Sequence, residues 1–256
     1  MTLWCRIEHD GRTRAGVLEG DSIRLHEGSC PLAPGAATGE MIPAAGARWL
    51  VPTAASKMVA LWNNFRAAAQ KNGWAVPSEP LYFLKTPQCF SANEQKIPQP
   101  RAHDGRVFYE GELGIVIGST CRSVAPEDAS RHIFGYTCVN DVTAMELLTR
   151  EPSFAQWTRA KNFDGFGAFG PVVATGLDPL ALRVKTLVNG RERQNYGLDD
   201  MIFKPAEIVS AISADLTLEA GDVIACGTSL GGLPMKPGTT VEVVIDGVGV
   251  LRNVYG

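Results

Sequence analysis

The chain has 256 residues, of which 45% are hydrophobic and 20% charged, so it is long enough for one or two globular domains at about 150 residues per domain. Its 24 Lys and Arg residues against 27 Asp and Glu residues leave a net charge of −3, which excludes the basic surface typical of proteins that bind nucleic acids or anionic membranes. We therefore expect a small-molecule ligand.

Two regions are predicted. Residues 1–55 consist of short alternating runs broken by Gly and Pro, which indicates a small N-terminal β-rich subdomain, and residues 56–256 form the main domain. The N-terminus has no apolar signal segment and no run of 18 apolar residues occurs, so we expect a cytoplasmic protein. The six Cys and four His residues are dispersed, with no C-x-x-C pair, which excludes the common zinc motifs.

The main domain is predicted to be rich in strands. Residues 53–72 predict a short strand and then a helix that ends at the Asn72-Gly73 pair, and residues 107–118 alternate with period two. Asn189-Gly190 and Asp246-Gly247 predict hairpins with two-residue turns of positive φ. Further helices are expected in residues 141–150 and 205–213. This pattern favours a β-dominated α+β fold, closed into a roll or barrel, with a few short covering helices.

Three acidic residues form a candidate metal site. Glu110 and Glu112 lie two apart in a predicted strand and therefore share one face, whereas Leu113, Ile115 and Ile117 lie on the other. Asp141 follows an apolar run at its expected end. Three carboxylates suit a hard divalent ion such as Mg²⁺ or Mn²⁺. The residues alone leave a second interpretation open, in which the acids are solvated on an exposed face and Asp141 caps a helix.

Several motifs together resemble those of the fumarylacetoacetate hydrolase superfamily. These motifs are YEGELGIVIG, GYTCVNDVTA, RAKNFDGFGAFGP, DMIF and LEAGDVIACGTSLGG, which occur in the order and spacing of that family from about residue 59 to the C-terminus. The resemblance implies an enzyme with a mixed β-sandwich roll, usually a homodimer. It also implies that Glu110, Glu112 and Asp141 bind Mg²⁺ or Mn²⁺.

The same resemblance implies roles for four further residues. Lys161 matches the active-site lysine beside the metal, where a cation would stabilise an enolate, although the residues alone also allow a surface lysine. Thr228 matches a threonine of a turn that binds the substrate carboxylate, and Gly227 lets the backbone approach. Lys85 matches a lysine near the site, and a solvated or structural role is equally open for it.

The sequence departs from the hydrolytic members of the family. Those members carry N-Y-x-x-H-x-x-E on a lid helix, whereas alignment of residues 64–71 places Ala68 at the histidine and Lys71 at the glutamate. The general base for hydrolysis is thus absent from its expected place. Met145 and Leu148 replace an Arg and a Gln of acylpyruvate-cleaving members, which predicts a more apolar pocket wall. The fit is closer to the branch named for 2-hydroxyhepta-2,4-diene-1,7-dioate isomerase and its decarboxylase partner in aromatic compound catabolism.

These observations favour a divalent-metal enzyme that acts on a 2-oxo acid or dicarboxylate through an enolate, by tautomerisation, double-bond isomerisation or decarboxylation. Lys71 or Arg66 is expected to meet a distal carboxylate when the lid closes. One alternative is C–C hydrolysis of an acylpyruvate with a base from elsewhere, for example His103. The other is a non-catalytic paralogue that binds 2-oxo acids or has a structural role.

Overall fold

The computed structural model of the protein describes residues 1–256. Strands account for 43% of the residues and helices for 17%, so the predicted β-dominated α+β class is confirmed. The strands in chain order are β1 (Thr2–His9), β2 (Arg12–Glu19), β3 (Ser22–His26), β4 (Ala37–Pro43), β5 (Arg48–Trp49), β6 (Met58–Trp62), β7 (Leu81–Lys85), β8 (Phe90–Ser91), β9 (Lys96–Ile97), β10 (Val107–Phe108), β11 (Gly111–Ile117), β12 (Ile133–Asp141), β13 (Thr143–Ala144), β14 (Gly167–Thr175), β15 (Arg183–Val188), β16 (Arg191–Gly197), β17 (Val223–Ala225), β18 (Pro234–Met235), β19 (Thr240–Ile245) and β20 (Gly249–Tyr255).

Five α-helices, all short, lie between the strands. They are α1 (Arg66–Asn72), α2 (Pro126–Ala129), α3 (Met145–Leu148), α4 (Trp157–Lys161) and α5 (Pro205–Asp215). Single turns of 3₁₀ helix occur at Pro87–Cys89, Ser130–His132, Pro179–Ala181 and Leu198–Asp200. No helix reaches the length and apolar character that crossing a membrane requires.

The strands form three sheets, of which the two larger are mixed and the smallest is antiparallel. The largest follows the order β4-β3-β2-β1-β14-β12-β11-β17-β6-β7, with β5 paired to β1 and β8 to β14. A second sheet has the order β16-β15-β19-β20-β9, and a small third one the order β13-β10-β18. Both end strands of the largest sheet have a single neighbour, so the chain forms a sandwich-like roll and not a closed barrel.

The main core lies between the two larger sheets. Strand β11 contributes Leu113, Ile115 and Ile117 to an apolar cluster that also contains Val243 and Ile245 of β19. The predicted apolar face of residues 113–117 is therefore confirmed. The opposite face of the largest sheet packs separately, with Val116 and Phe169 in its cluster. Strand β11 is thus buried on both faces, and a polar side chain on it can be held only by specific partners.

The predicted elements occur where the sequence places them, with two differences. Strand β6 leads to α1, and Gly73 ends that helix in the left-handed conformation at a φ of 67°, as predicted. Helix α3 is a single turn, because the residues before it continue as strands β12 and β13. Helices α2 and α4 lie outside the three segments in which helices were expected.

Both predicted hairpins form, and their turns differ. Asn189 and Gly190 connect β15 to β16 with φ values of 50° and 75°, the two positive φ angles that were predicted. Within the turn of the β19–β20 hairpin, residues 245–248, Gly247 alone has a positive φ, of 79°, and the Val248 N–H donates to the Ile245 carbonyl at 2.9 Å. A positive φ at the third residue of a four-residue turn is the type II geometry, so the prediction for Asp246 was wrong.

Candidate active site

The three acids of the predicted metal site converge at one end of the largest sheet. Glu110 directly precedes β11, Glu112 lies in β11, and Asp141 is the last residue of β12. Antiparallel pairing places Gly111 opposite Asn140, and the Asp141 N–H donates to the Glu110 carbonyl at 2.9 Å. One carboxylate oxygen of each acid lies within 4.8 Å of the others. Glu112 is 1% exposed and Asp141 0%, so the interpretation as solvated acids, with Asp141 as a helix cap, does not hold.

Two buried lysines balance part of this negative charge. The Lys161 ammonium donates to Glu110 Oε2 and to Asp141 Oδ2, each at 2.6 Å. The Lys85 ammonium donates to Asp141 Oδ1 at 2.6 Å and to the Lys161 carbonyl at 2.5 Å. Both lysines are buried, which excludes the alternative of a surface lysine at either position. Lys85 thereby fixes both the acid and the backbone of α4, whereas Lys161 is the cation next to the cavity.

Burial and neighbouring charges together raise the pKa values of Glu112 and Lys161 and lower that of Asp141. Burial raises the pKa of Glu112 above its usual range, and the charges of Asp141 and Glu110 add to that rise. Burial alone would raise the pKa of Asp141 as well, but the charges of Lys161 and Lys85 lower it below the usual value. For Lys161, burial opposes the ammonium form, and the two carboxylates outweigh burial and raise its pKa. Lys161 is therefore a stable cation between two carboxylates.

The donor set fits a hard divalent cation. Three acids against two lysines leave one negative charge in a buried cluster, and Glu112 accepts only one hydrogen bond, from the Gly227 N–H at 2.8 Å. Carboxylate oxygens are the ligands that Mg²⁺ and Mn²⁺ prefer. Glu110, Glu112 and Asp141 are accordingly the residues that could hold such an ion.

The turn after β17 closes the site on the side of Glu112. Gly227 has a φ of 87°, and a Cβ there would lie 3.3 Å from the Leu61 carbonyl oxygen, so the position favours glycine. The Thr228 hydroxyl donates to the Gly111 carbonyl at 3.0 Å. That hydroxyl hydrogen is thus used within the protein, whereas the amide N–H groups of Thr228 and Leu230 donate no hydrogen bond within it. Both residues line the cavity, so we expect these amides to serve as donors to an anionic ligand.

A cavity of about 320 Å³ opens beside the acids. Met145 and Leu148 lie in its wall, together with aromatic residues, so the wall is apolar at the positions where the sequence predicts it. The lining comprises Leu61, Trp62, Asn63, Ala68, Asn72, Trp74, Phe83, Glu110, Glu112, Thr143, Met145, Leu148, Trp157, Lys161, Thr228, Ser229, Leu230, Gly231 and Gly232. The volume is within the usual range for a small-molecule site.

Three residues considered in the sequence lie away from this cavity. Arg66 and Lys71 are exposed on α1 and do not line it, whereas Ala68, at the place of the hydrolytic histidine, does. His103 is buried outside the lining, and its Nε2 lies 3.5 Å from Glu146 Oε2. The structure therefore brings no histidine to the cavity, and the distal role of Arg66 or Lys71 remains a prediction.

Sequence reasoning missed several residues that hold the site together. Gln194 on β16 accepts from the Gly111 N–H at 3.0 Å and donates to Thr228 Oγ1 at 2.9 Å. The Thr143 hydroxyl donates to Glu110 Oε2 at 3.2 Å, and the Asn64 amide donates to the Cys226 carbonyl at 2.9 Å. One signal could have identified Gln194: it shares the face of the buried Tyr196, two residues along the strand, where an apolar residue is expected.

Comparisons with known proteins give consistent results. The family described as "Fumarylacetoacetate (FAA) hydrolase C-terminal" matches residues 57–255, and "Rv2993c-like, N-terminal" matches residues 3–52. The Bacillus subtilis protein named oxaloacetate tautomerase YisK is 34% identical over 80% of this chain and 71% of its own. A 4-hydroxyphenylacetate degradation bifunctional isomerase/decarboxylase of Salmonella dublin is 32% identical over 94% of this chain and 57% of its own. The crystal structure of a 5-carboxymethyl-2-hydroxymuconate delta-isomerase from Mycobacterium smegmatis is 34% identical, with a TM-score of 0.89 over 100% of this chain and 99% of that one.

Proposed function

Because this chain belongs to the fumarylacetoacetate hydrolase family, we propose that it is a divalent-metal-dependent enzyme that acts on a 2-oxo acid through an enolate. The reaction class is keto–enol tautomerisation, double-bond isomerisation or decarboxylation, in which the same enolate occurs. Relatives named as a tautomerase and as an isomerase/decarboxylase support this class. The observation that carries the proposal is the Lys161 ammonium, which lies between Glu110 and Asp141 at the cavity wall, 2.6 Å from an oxygen of each.

Different residues of the chain have different roles in this reaction. Bound Mg²⁺ or Mn²⁺ would supply a Lewis acid at Glu110, Glu112 and Asp141 that withdraws electrons from the carbonyl group of the acid. Lys161 presents an ammonium group at the same wall, where it would stabilise negative charge on the enolate oxygen or return a proton to it. Lys85 donates to the other oxygen of Asp141, so that carboxylate would keep an ionic partner when a substrate engages Lys161. The free amides of Thr228 and Leu230 would bind the carboxylate of the substrate.

The cavity supports these reactions over hydrolysis. Ala68 stands where a hydrolytic member carries its histidine, and the wall contains no side chain that could deprotonate water in its place except the acids of the metal site. Tautomerisation, isomerisation and decarboxylation need no activated water. The apolar wall would also keep bulk water from the enolate, which strengthens the electrostatic effect of Lys161.

Oxaloacetate with Mg²⁺ or Mn²⁺ tests this proposal, because its enol, its keto form and pyruvate are distinguishable by UV absorbance and NMR. We expect enolate chemistry with the native chain, and a loss of about 100-fold or more in kcat/KM for Lys161→Met. Glu110→Gln should lose metal binding in calorimetric titration, whereas Glu127→Gln on the exposed surface of α2 is the matched control.

Two results would contradict the proposal. If acetylpyruvate is cleaved with release of pyruvate faster than any 2-oxo acid is enolised, the enzyme is a C–C hydrolase. If Glu110→Gln changes neither metal content nor any activity, the residues assigned to the metal are wrong and the chain binds its ligand without this chemistry.

A further inference from the structure

We propose that the 2-oxo acid taken by this site carries an aromatic ring, or another flat conjugated apolar group, at the position where a dicarboxylate carries its second carboxylate. This inference rests on the proposed function and names its substrate class. The part of the molecule that carries it is the cavity wall beyond Lys161.

Four aromatic side chains form a continuous strip along that wall, which we call the aromatic strip (Phe83, Trp157, Trp62 and Trp74). Phe83 and Trp157 stack at a centroid distance of 4.9 Å with an interplanar angle of 18°. Trp62 follows at 6.3 Å from Trp157, and Trp74 at 5.0 Å from Trp62. The strip therefore leads from the inner end of the cavity to its mouth, where the two outer tryptophans are partly exposed.

The aromatic strip begins at the proposed reaction centre. The Lys161 ammonium lies 4.9 Å from the centroid of the Phe83 ring. Trp157 precedes Lys161 by one turn of α4, and Phe83 precedes Lys85 by two residues on β7, so each site lysine has an aromatic neighbour on its own face. A substrate whose carbonyl group lies near Lys161 would consequently place its far end against aromatic rings.

The cavity offers no cation for a second carboxylate. Lys161 is the sole basic residue of the lining, and it is already bonded to Glu110 and Asp141. Arg66 and Lys71 are exposed on α1, outside the lining, so this proposal replaces the role at a distal carboxylate that was expected for them. A carboxylate placed against the aromatic strip would lose its hydration without gaining an ionic partner, which is strongly unfavourable.

The amide side chains of the lining do not replace that cation. Asn63 donates its amide to the Ala75 carbonyl at 2.9 Å, and Asn72 donates to the Ala68 carbonyl at 2.9 Å. The Asn63 carbonyl oxygen is buried without a partner, and an oxygen acceptor repels a carboxylate. Ser229 adjoins Thr228, at the end of the cavity where the first carboxylate would bind.

An aryl group suits the chemistry as well as the wall. In enolisation the C3–H bond breaks and its proton passes to solvent water, while its electron pair forms the C2–C3 double bond. The carbonyl π pair moves to oxygen, which takes up one proton from the same water, so the net change is the transfer of one proton from C3 to oxygen. The composition of the substrate is unchanged, so no co-reactant is needed. When C3 carries a ring, the new double bond is conjugated with it, and the flat enol can stack on the aromatic strip better than the keto form.

A binding experiment tests the ligand class independently of turnover. Phenylglyoxylate and ketomalonate are both 2-oxo acids without a hydrogen to enolise, and they differ in carrying a ring or a second carboxylate. With Mn²⁺ present, we expect tryptophan fluorescence and calorimetry to show phenylglyoxylate bound about 10-fold or more tightly than ketomalonate. Ketomalonate binding equally or more tightly would overturn the inference.

Two variants test whether the cavity wall causes the preference for the aromatic ligand, and a third variant serves as a control. Trp157→Leu keeps apolar volume but removes the central ring of the strip, and it should reduce the ratio of the two affinities about 10-fold. Met145→Arg, at a partly exposed position of the wall, should shift the ratio toward ketomalonate by about 10-fold or more. Trp4→Leu, which is distant in the N-terminal strand β1, should leave the ratio unchanged. Ratios that do not respond to either wall variant would contradict the inference.

Turnover separates this inference from the proposed function. Enolisation of phenylpyruvate with a kcat/KM about 10-fold or more above that of oxaloacetate would support both. A preference for oxaloacetate would overturn the ligand class and leave the enolate chemistry standing. If phenylglyoxylate binds preferentially while phenylpyruvate and oxaloacetate are both unreacted, the ligand class stands and the proposed chemistry fails.

Discussion

At the scale of single residues, the most informative side chain is Glu112. It is almost completely buried, and one backbone N–H is its only hydrogen-bond donor. Asp141, by contrast, receives both lysine ammonium groups. A carboxylate with so little compensation destabilises the folded chain in its charged form unless a cation binds beside it.

This difference predicts that Glu112→Gln stabilises the metal-free protein. Because the pKa of Glu112 is raised in the folded state, the native chain loses stability as the pH rises above the usual glutamate value. The variant lacks that loss, so its Tm in EDTA should exceed the native Tm. The difference should be about 2–4 °C for each kcal/mol gained in the free energy of unfolding, and it should be larger at pH 8 than at pH 5.

Bound metal should reverse the order of the two Tm values. With Mn²⁺ in excess, ligand binding stabilises the native chain and should raise its Tm above that of the variant. Thermal denaturation of both proteins in EDTA and in Mn²⁺ is the test. A variant that is less stable than the native chain in EDTA would show that Glu112 is compensated by the protein itself.

At the scale of secondary-structure elements, strand β16 connects the acid-bearing strand to the turn after β17. The Gln194 amide accepts from the Gly111 N–H and donates to both Thr228 Oγ1 and the Leu230 carbonyl. Gly111 lies between the two glutamates. The Gln194 side chain therefore fixes the spacing between β11, which carries Glu112, and the turn after β17. Gln194 is accordingly a positioning residue.

Gln194→Leu should therefore weaken substrate binding without removing any proposed ligand of the metal. The substitution leaves the buried Gly111 N–H without a partner, which costs about 1–3 kcal/mol of stability. We expect KM for a 2-oxo acid to rise by about 10-fold while metal affinity changes less, measured by kinetics and calorimetric titration. Gln70→Leu, on the exposed side of α1, is the matched control. An equal loss in both variants would contradict the positioning role.

The elements also explain how far the sequence predicts the site. Glu110, Glu112 and Asp141 could be identified because strand alternation and the end of an apolar run are local patterns. Lys161 could be identified only by resemblance, since a five-residue helix has no pattern that separates a buried lysine from an exposed one. The aromatic strip could not be predicted, because Trp62, Phe83 and Trp157 come from three separate segments that meet only in the folded chain.

At the scale of the whole molecule, the N-terminal region continues the largest sheet. Strand β1 pairs with β14 from Thr2↔Thr175 to Cys5↔Val172, and β14 pairs on its other side with β12, which carries Asp141. The apolar cluster of the N-terminal strands includes Val172. We propose that residues 56–256 form the catalytic unit and residues 1–55 a smaller unit that covers one edge of it.

Removal of residues 1–55 should leave the metal site intact and destabilise the chain. The truncation exposes the edge of β14 and the side of Val172, and an uncovered strand edge promotes aggregation. We expect a Tm lower by about 5 °C or more, with aggregation that increases with concentration, and Mn²⁺ binding retained in calorimetric titration. A truncated chain that stays folded but no longer binds Mn²⁺ would contradict the division into these two units.

The expected homodimer is tested by the mass in solution of the full chain.

The separation of the acids from the aromatic strip has an evolutionary consequence. The acids lie on neighbouring strands, whereas most of the strip comes from β6, β7 and the segment after α1. Mutations at Trp62, Trp74 or Met145 touch none of the hydrogen bonds that hold Glu110, Glu112 and Asp141. Selection can therefore exchange one substrate for another in this scaffold by changing the wall, while the chemistry at the sheet is inherited unaltered.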